Sequence, residues 1–143
     1  MIKKVVETAR SLVGTKWRHK GRSKHSIDCV GIIVYSFAAA GVEIIDRKHY
    51  GREPWKDGLD EELEKNFGKK LDKKEMREGD VAVIWFDDMP APSHIGIIAK
   101  HPYGGLSLIH SYSMQNTVEH FIDDVWYNRI SHIYRYQKWQ SLQ

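Results

Sequence analysis

Asp28-Cys29-Val30-Gly31-Ile32-Ile33-Val34-Tyr35-Ser36-Phe37-Ala38-Ala39-Ala40 is the stretch on which the fold of this chain turns. Its β-branched residues favour a strand. Its length from residue 29 to 40, the run of alanines at its end and Gly41 as a C-terminal cap favour a buried helix. Length and cap decide for the helix. Asp28 then stands at the N-cap, where its carboxylate can accept an N–H of the first turn, and Cys29 opens the helix. Cys29 is the only cysteine, so no intramolecular disulfide can form. A lone thiol at such a place is either an inert packing residue or a nucleophile, and the rest of the chain must decide.

Upstream, residues 3–13 place Val5, Val6, Ala9, Leu12 and Val13 at helical spacing, with Gly14 as the stop. Residues 15–27 read as a loop rich in charge, glycine and serine, whose only large rings are Trp17 and His19. Residues 42–56 read as irregular, and residues 58–67 as a short exposed helix with Leu59, Leu63 and Phe67 facing inward. After Gly79-Asp80 the period changes, and strands are expected at 81–86, 93–99, 106–112, 115–120 and 131–137, with a helical or irregular piece around Val125-Trp126. Helices followed by a meander of strands predict an α+β domain, with N-terminal helices packed on a central antiparallel sheet of about five strands. The 143 residues are the size of one domain, taken as residues 1–143.

The net charge of +3 and a pI near 8.9 are too mild for a dedicated nucleic-acid binder. The charge is uneven, however. Lys16, Arg18, Lys20, Arg22 and Lys24 form a basic run before Cys29, which reads equally as a solvated loop or as an attractor of anionic polymer. No stretch has the apolar length of a membrane span, and Glu7, Thr8 and Arg10 interrupt any signal-peptide core. Synthesis in the cytoplasm without a signal peptide is therefore expected.

The turn His101-Pro102-Tyr103-Gly104-Gly105 sets the geometry that bears on Cys29. If it is a five-residue hairpin loop, Lys100 pairs with Leu106 and Gly96 falls opposite His110. His94, Gly96, Leu108 and His110 then share one sheet face, with the two histidines diagonal and roughly 7 Å apart at the backbone. Two imidazoles can thus touch, and Gly96 leaves room for a partner. Cys29 is the expected partner, its thiol pKa lowered by the helix start. In this scheme Cys29 attacks an amide carbonyl, His94 serves as acid and then base, His110 orients His94, and the Cys29 N–H receives the oxyanion. The remaining histidines, His19, His25, His49, His101, His120 and His132, read as surface or structural.

Gly14-Thr15-Lys16-Trp17, Asp28-Cys29-Val30-Gly31, Gly79-Asp80-Val81, Ser93-His94-Ile95-Gly96-Ile97 and Ile109-His110-Ser111 occur in that order. Together they resemble the NlpC-type cell-wall cysteine peptidases, which are papain-like hydrolases. The resemblance implies a papain-like NlpC fold, a Cys-His-His site made of Cys29, His94 and His110, and no cofactor or metal. It also implies cleavage of an amide bond in the stem peptide of bacterial peptidoglycan, commonly the D-glutamyl to diaminopimelate bond. The Trp17-Arg18-His19 continuation, the Tyr50 region and residues 130–135 look most like the phage-tail and gene-transfer-agent branch, which acts at the cell wall from a particle. Proteins of a phage tail or tail-like particle are then partners.

Two positions depart from the pattern: Trp17 stands where a tyrosine is usual, and Val30 where a serine is common. The resemblance implies that both positions help form the substrate pocket, and for Asp28, an N-cap first, it implies a secondary contact with a substrate amine. Three other readings stay open. These are a cysteine amidase or acyltransferase on another amide substrate, a zinc site of one Cys and two His, and a non-catalytic module that binds wall polymer.

Overall fold

The computed structural model describes residues 1–45, 58–113 and 115–140. Two helices come first. α1 (Ile2–Ser11) buries Val5, Val6 and Ala9, and α2 (Cys29–Ala39) buries Gly31, Ile32, Ile33, Ser36 and Phe37. The helical reading of the opening stretch therefore holds, with Asp28 as N-cap accepting the Gly31 N–H. Between the helices the expected loop contains three two-residue strands, β1 (Lys16–Trp17), β2 (Arg22–Ser23) and β3 (Ser26–Ile27). Strands this short have no periodicity in sequence, so only their pairing reveals them: β1 runs parallel to β3, and β2 antiparallel to it.

α3 (Leu59–Phe67) follows, with Leu63 and Phe67 inward; the Phe67 ring meets Phe37 of α2 edge-on at 5.1 Å. The main sheet comprises β4 (Val81–Ile84), β5 (His94–Lys100), β6 (Leu106–Ser111), β7 (Thr117–Phe121) and β8 (Ile130–Tyr134). Its order is β7-β6-β5-β4-β8, and every pairing is antiparallel. Short helices α4 (Asp124–Arg129) and α5 (Gln137–Gln140) flank β8. The α+β class and the five-stranded antiparallel sheet are thus as expected.

Several boundaries differ for local reasons. The first sheet strand stops at Ile84 because the Trp85 N–H turns to the Arg129 carbonyl and Met89 closes a turn on Phe86. The fourth strand begins at Thr117, since Gln115 closes a turn on Tyr112. The irregular stretch expected at 42–56 lies outside the described residues from 46 onward, as do His49 and the Tyr50 region.

The sheet is buried on both faces. Val81, Val83, Ile95, Ile97 and Ile109 join α1, α2 and α3 in one apolar cluster, while Ala82, Ile84, Ile98, Leu108, Ile130 and Ile133 form the other. This explains why β4 reads as a continuous apolar run, all four of its residues being buried. Inside this frame the start of α2 is pressed against the preceding loop. A Cβ on Gly31 would collide with the Gly21 carbonyl oxygen and crowd Ile27. Gly31→Ala is therefore expected to cost roughly 1–3 kcal/mol through overpacking, read as a lower thermal midpoint. An unchanged midpoint contradicts this packing.

Candidate active site

Asp28 organises the entrance to α2. It is only 3% exposed, and its Oδ1 accepts from the Gly31 N–H and from Arg22 Nη1, both at 2.8 Å. Oδ2 accepts the Lys20 N–H at 2.9 Å, across a backbone that takes a left-handed φ of 63° at Lys20. Part of the basic run is therefore structural: Arg22 neutralises a buried carboxylate and ties the loop to the helix start. Trp17 pairs with Ile27 and lines a cleft of about 270 Å³ with Lys16, Gln115 and Asn116. Val30 is half-buried and packs on the core.

Cys29 is a half-buried free thiol in the first turn of α2. The backbone N–H groups of Ile95 and Val30 favour its thiolate, which sets the sulfur against the start of β5. The hairpin register is the expected one, Lys100 pairing with Leu106. His94 Nε2 and His110 Nδ1 stand 2.8 Å apart, so the two imidazoles touch. Phe86, Tyr112 and Trp126 wall them in: Tyr112 stacks on His110 at 4.9 Å, Trp126 meets it edge-on at 5.1 Å, and Phe86 lies 5.5 Å from His94.

Gly96 plays a different part from the one expected. A Cβ there would meet Leu108 Cδ1 at 2.8 Å and His110 Cβ at 3.0 Å, so its bare backbone makes room for its own hairpin partners. Cys29 instead approaches at the end of the strand. His120, read from sequence as surface or structural, belongs to the same cluster, its Nε2 being 2.8 Å from His110 Nε2. The available signal was a second diagonal. β6 pairs with β7 so that Leu108 faces His120, and His120 therefore sits diagonally from His110, as His94 does on the other side. His132 bonds Asp60 at 2.7 Å and links β8 to α3, away from the cluster.

The electrostatics correct one expectation. Burial, joined by the Asp28 carboxylate, pushes the Cys29 thiol up to about 12, outweighing the N–H groups of Ile95 and Val30 and the Arg22 charge. Burial lowers His94 to about 3, and burial together with its two imidazole neighbours lowers His110 to about 2. At neutral pH the resting site therefore holds an uncharged thiol and uncharged imidazoles. The helix start acts in the expected direction but is the smaller effect. As for metals, no group of three or more His, Cys, Asp or Glu side chains among the described residues could hold an ion. The facing nitrogens of His94 and His110 already occupy one another.

A cysteine opening a buried helix against an antiparallel sheet that carries paired histidines is the arrangement of a papain-like α+β protein. The chain belongs to the NlpC/P60 family, whose model matches residues 14–137. Among solved structures it is similar to an NlpC/P60 family protein from Bacillus cereus, at 16% identity and a TM-score of 0.68 over 95% of this chain and 40% of that one. It is also similar to the NlpC/p60 domain of the peptidoglycan hydrolase SagA, at 16% identity and a TM-score of 0.62 over 94% of this chain and 97% of that one. NlpC1 from Trichomonas vaginalis matches at 15% identity and a TM-score of 0.65, over 94% of this chain and 44% of that one. The chain thus spans less than half the length of the Bacillus and Trichomonas proteins. No curated protein matches it. No helix among the described residues is long and apolar enough to cross a membrane.

The buried histidines make stability depend on pH. Both have folded pKa values below the ordinary 6.5, so the unfolded chain takes up protons first as pH falls. Their contribution is complete above 6.5 and is lost as pH drops toward about 3, at up to about 1.4 kcal/mol per pH unit for each group. Denaturant unfolding between about pH 7 and pH 5 should show this slope, and His110→Asn should flatten it. Equal slopes in the two proteins contradict the assignment.

Proposed function

We propose that this protein is a peptidoglycan hydrolase that cleaves an amide bond of the stem peptide with Cys29 as nucleophile. Family membership supports the reaction class, and the observation that carries the residue assignment is the 2.8 Å His94–His110 pair on a hairpin whose Ile95 N–H meets the sulfur of a cysteine that opens a helix. His94 Nε2 faces His110, which leaves Nδ1 for the thiol. Because the resting pair is uncharged, His94 Nδ1 takes the thiol proton as the sulfur attacks the carbonyl carbon. The Cys29 N–H lies in the first helical turn, where no intrahelical carbonyl reaches it, and can receive the developing oxyanion. The His94 imidazolium then gives its proton to the departing amine, leaving a thioester. Water, deprotonated by His94, attacks that thioester, releasing a carboxylate and restoring the thiol.

The bond in this reading is the D-glutamyl to diaminopimelate bond, and delivery is by a phage tail or tail-like particle; both rest on the sequence resemblance. Trp17, Val30 and Asp28 border the pocket. Trp17 offers an indole and its cleft to the substrate, whereas Asp28, fully engaged with Gly31, Arg22 and Lys20, contributes by holding the loop.

Incubating the purified protein with peptidoglycan should release stem-peptide fragments whose masses identify the bond. Cys29→Ala should lower that release by at least about 10⁴-fold while leaving the thermal midpoint near that of the wild type. A folded alanine variant that retains activity contradicts the assignment. A wild type that forms amide-transfer products when amines are added favours the acyltransferase reading.

A further inference from the structure

The contact between His94 and His110 does not end there. His110 Nε2 meets His120 Nε2 at 2.8 Å, and His120 Nδ1 meets the main-chain carbonyl oxygen of Phe121 at 2.9 Å. A carbonyl oxygen only accepts, so Nδ1 of His120 must carry a hydrogen. In the form with one hydrogen on each ring, His120 Nε2 is a lone pair and accepts from the His110 Nε2–H. His110 Nδ1 is in turn a lone pair and accepts from the His94 Nε2–H. The one nitrogen left without a hydrogen at the inner end is Nδ1 of His94. Reversing the chain would set a lone pair on His120 Nδ1 against the Phe121 oxygen at 2.9 Å, which is repulsive.

We propose that His120 is a positioning residue. By donating Nδ1–H to the Phe121 carbonyl, it fixes the tautomer of His110, and through it places the lone pair of His94 on Nδ1. The inference rests on the reading of His94 as the base for Cys29. Burial makes this direction consequential: His94 is 5% exposed and His110 is fully buried, so their tautomers are set by neighbouring protein groups. His120 is half-buried, its ring 4.5 Å from Trp126, and is the member of the row nearest to solvent.

The same row gives the charge formed in catalysis a way outward. Once His94 holds a proton on Nδ1, its Nε2 proton can pass to His110 Nδ1 as the His110 Nε2 proton passes to His120 Nε2. Proton number is conserved, and the positive charge moves from a buried ring to a half-buried one, where solvation costs less.

The test uses histidine side-chain nitrogen-15 NMR on the resting protein, together with steady-state kinetics on defined stem peptides. In the wild type, His94 should carry its hydrogen on Nε2 and none on Nδ1. His120→Gln supplies a side-chain oxygen that accepts from His110 Nε2–H and should keep that pattern. His120→Phe keeps a ring against Trp126 but removes the acceptor, so His110 and His94 should become tautomeric mixtures. Its kcat should fall roughly ten- to a hundredfold, with KM little changed and most of the loss restored in His120→Gln. A wild-type spectrum with the hydrogen on His94 Nδ1 overturns the proposal, and it can be recorded even if His120→Phe does not fold. A folded His120→Phe with unaltered tautomers and kcat overturns it too. The spectra need no substrate, so a wild type that is inactive on peptidoglycan removes the functional reading while the tautomer assignment is still decided.

Discussion

The buried carboxylate of Asp28 is the constraint on which the site depends. Removing a charge from water is costly, and the protein offsets the cost by giving Asp28 two main-chain N–H groups and the Arg22 guanidinium. Each partner belongs to a different piece of chain. Gly31 is in α2, Lys20 is at a tight left-handed bend, and Arg22 is in β2. One side chain thereby fixes the start of the cysteine helix against the loop before it, and Gly31 allows the close approach that this requires. The position of Cys29 is a consequence of that knot.

The second half of the site comes from an antiparallel hairpin. Its register brings His94 and His110 together, Gly96 gives their strands room to pack, and aromatic rings exclude water from around them. Exclusion of water has a chemical effect. It keeps both imidazoles uncharged and the thiol protonated, so in the proposed reaction proton transfer accompanies the attack and is not completed beforehand. Uncharged, His94 and His110 each offer a single lone pair, so the direction of the hydrogen bonds in the histidine row matters.

Much of this was legible in the chain itself. The helix beginning at Cys29 followed from length and caps, and the hairpin register from the turn 101–105, whose Gly104 and Gly105 both take positive φ. That register was enough to bring two histidines sixteen positions apart into contact. His120 escaped because the connection at 112–116 carries no comparable turn signal, and a strand expected at 115–120 left its pairing with β6 unset. The strands β1 to β3 escaped because two residues cannot show alternation. The thiol's upward shift was hidden for another reason: a helix start can be read from sequence, but the desolvation that opposes it depends on how the rest of the chain packs around the sulfur.

The central claim is that Cys29 forms a covalent acyl intermediate with the substrate. Its most direct test is intact-protein mass spectrometry after rapid acid quenching of the enzyme mixed with a stem peptide, followed by peptide mapping. The account predicts a transient mass increase equal to the acyl half of the cleaved peptide, mapped to the peptide containing Cys29 and lost on treatment with hydroxylamine. Turnover without any adduct on Cys29, or with an adduct on another residue, would contradict it.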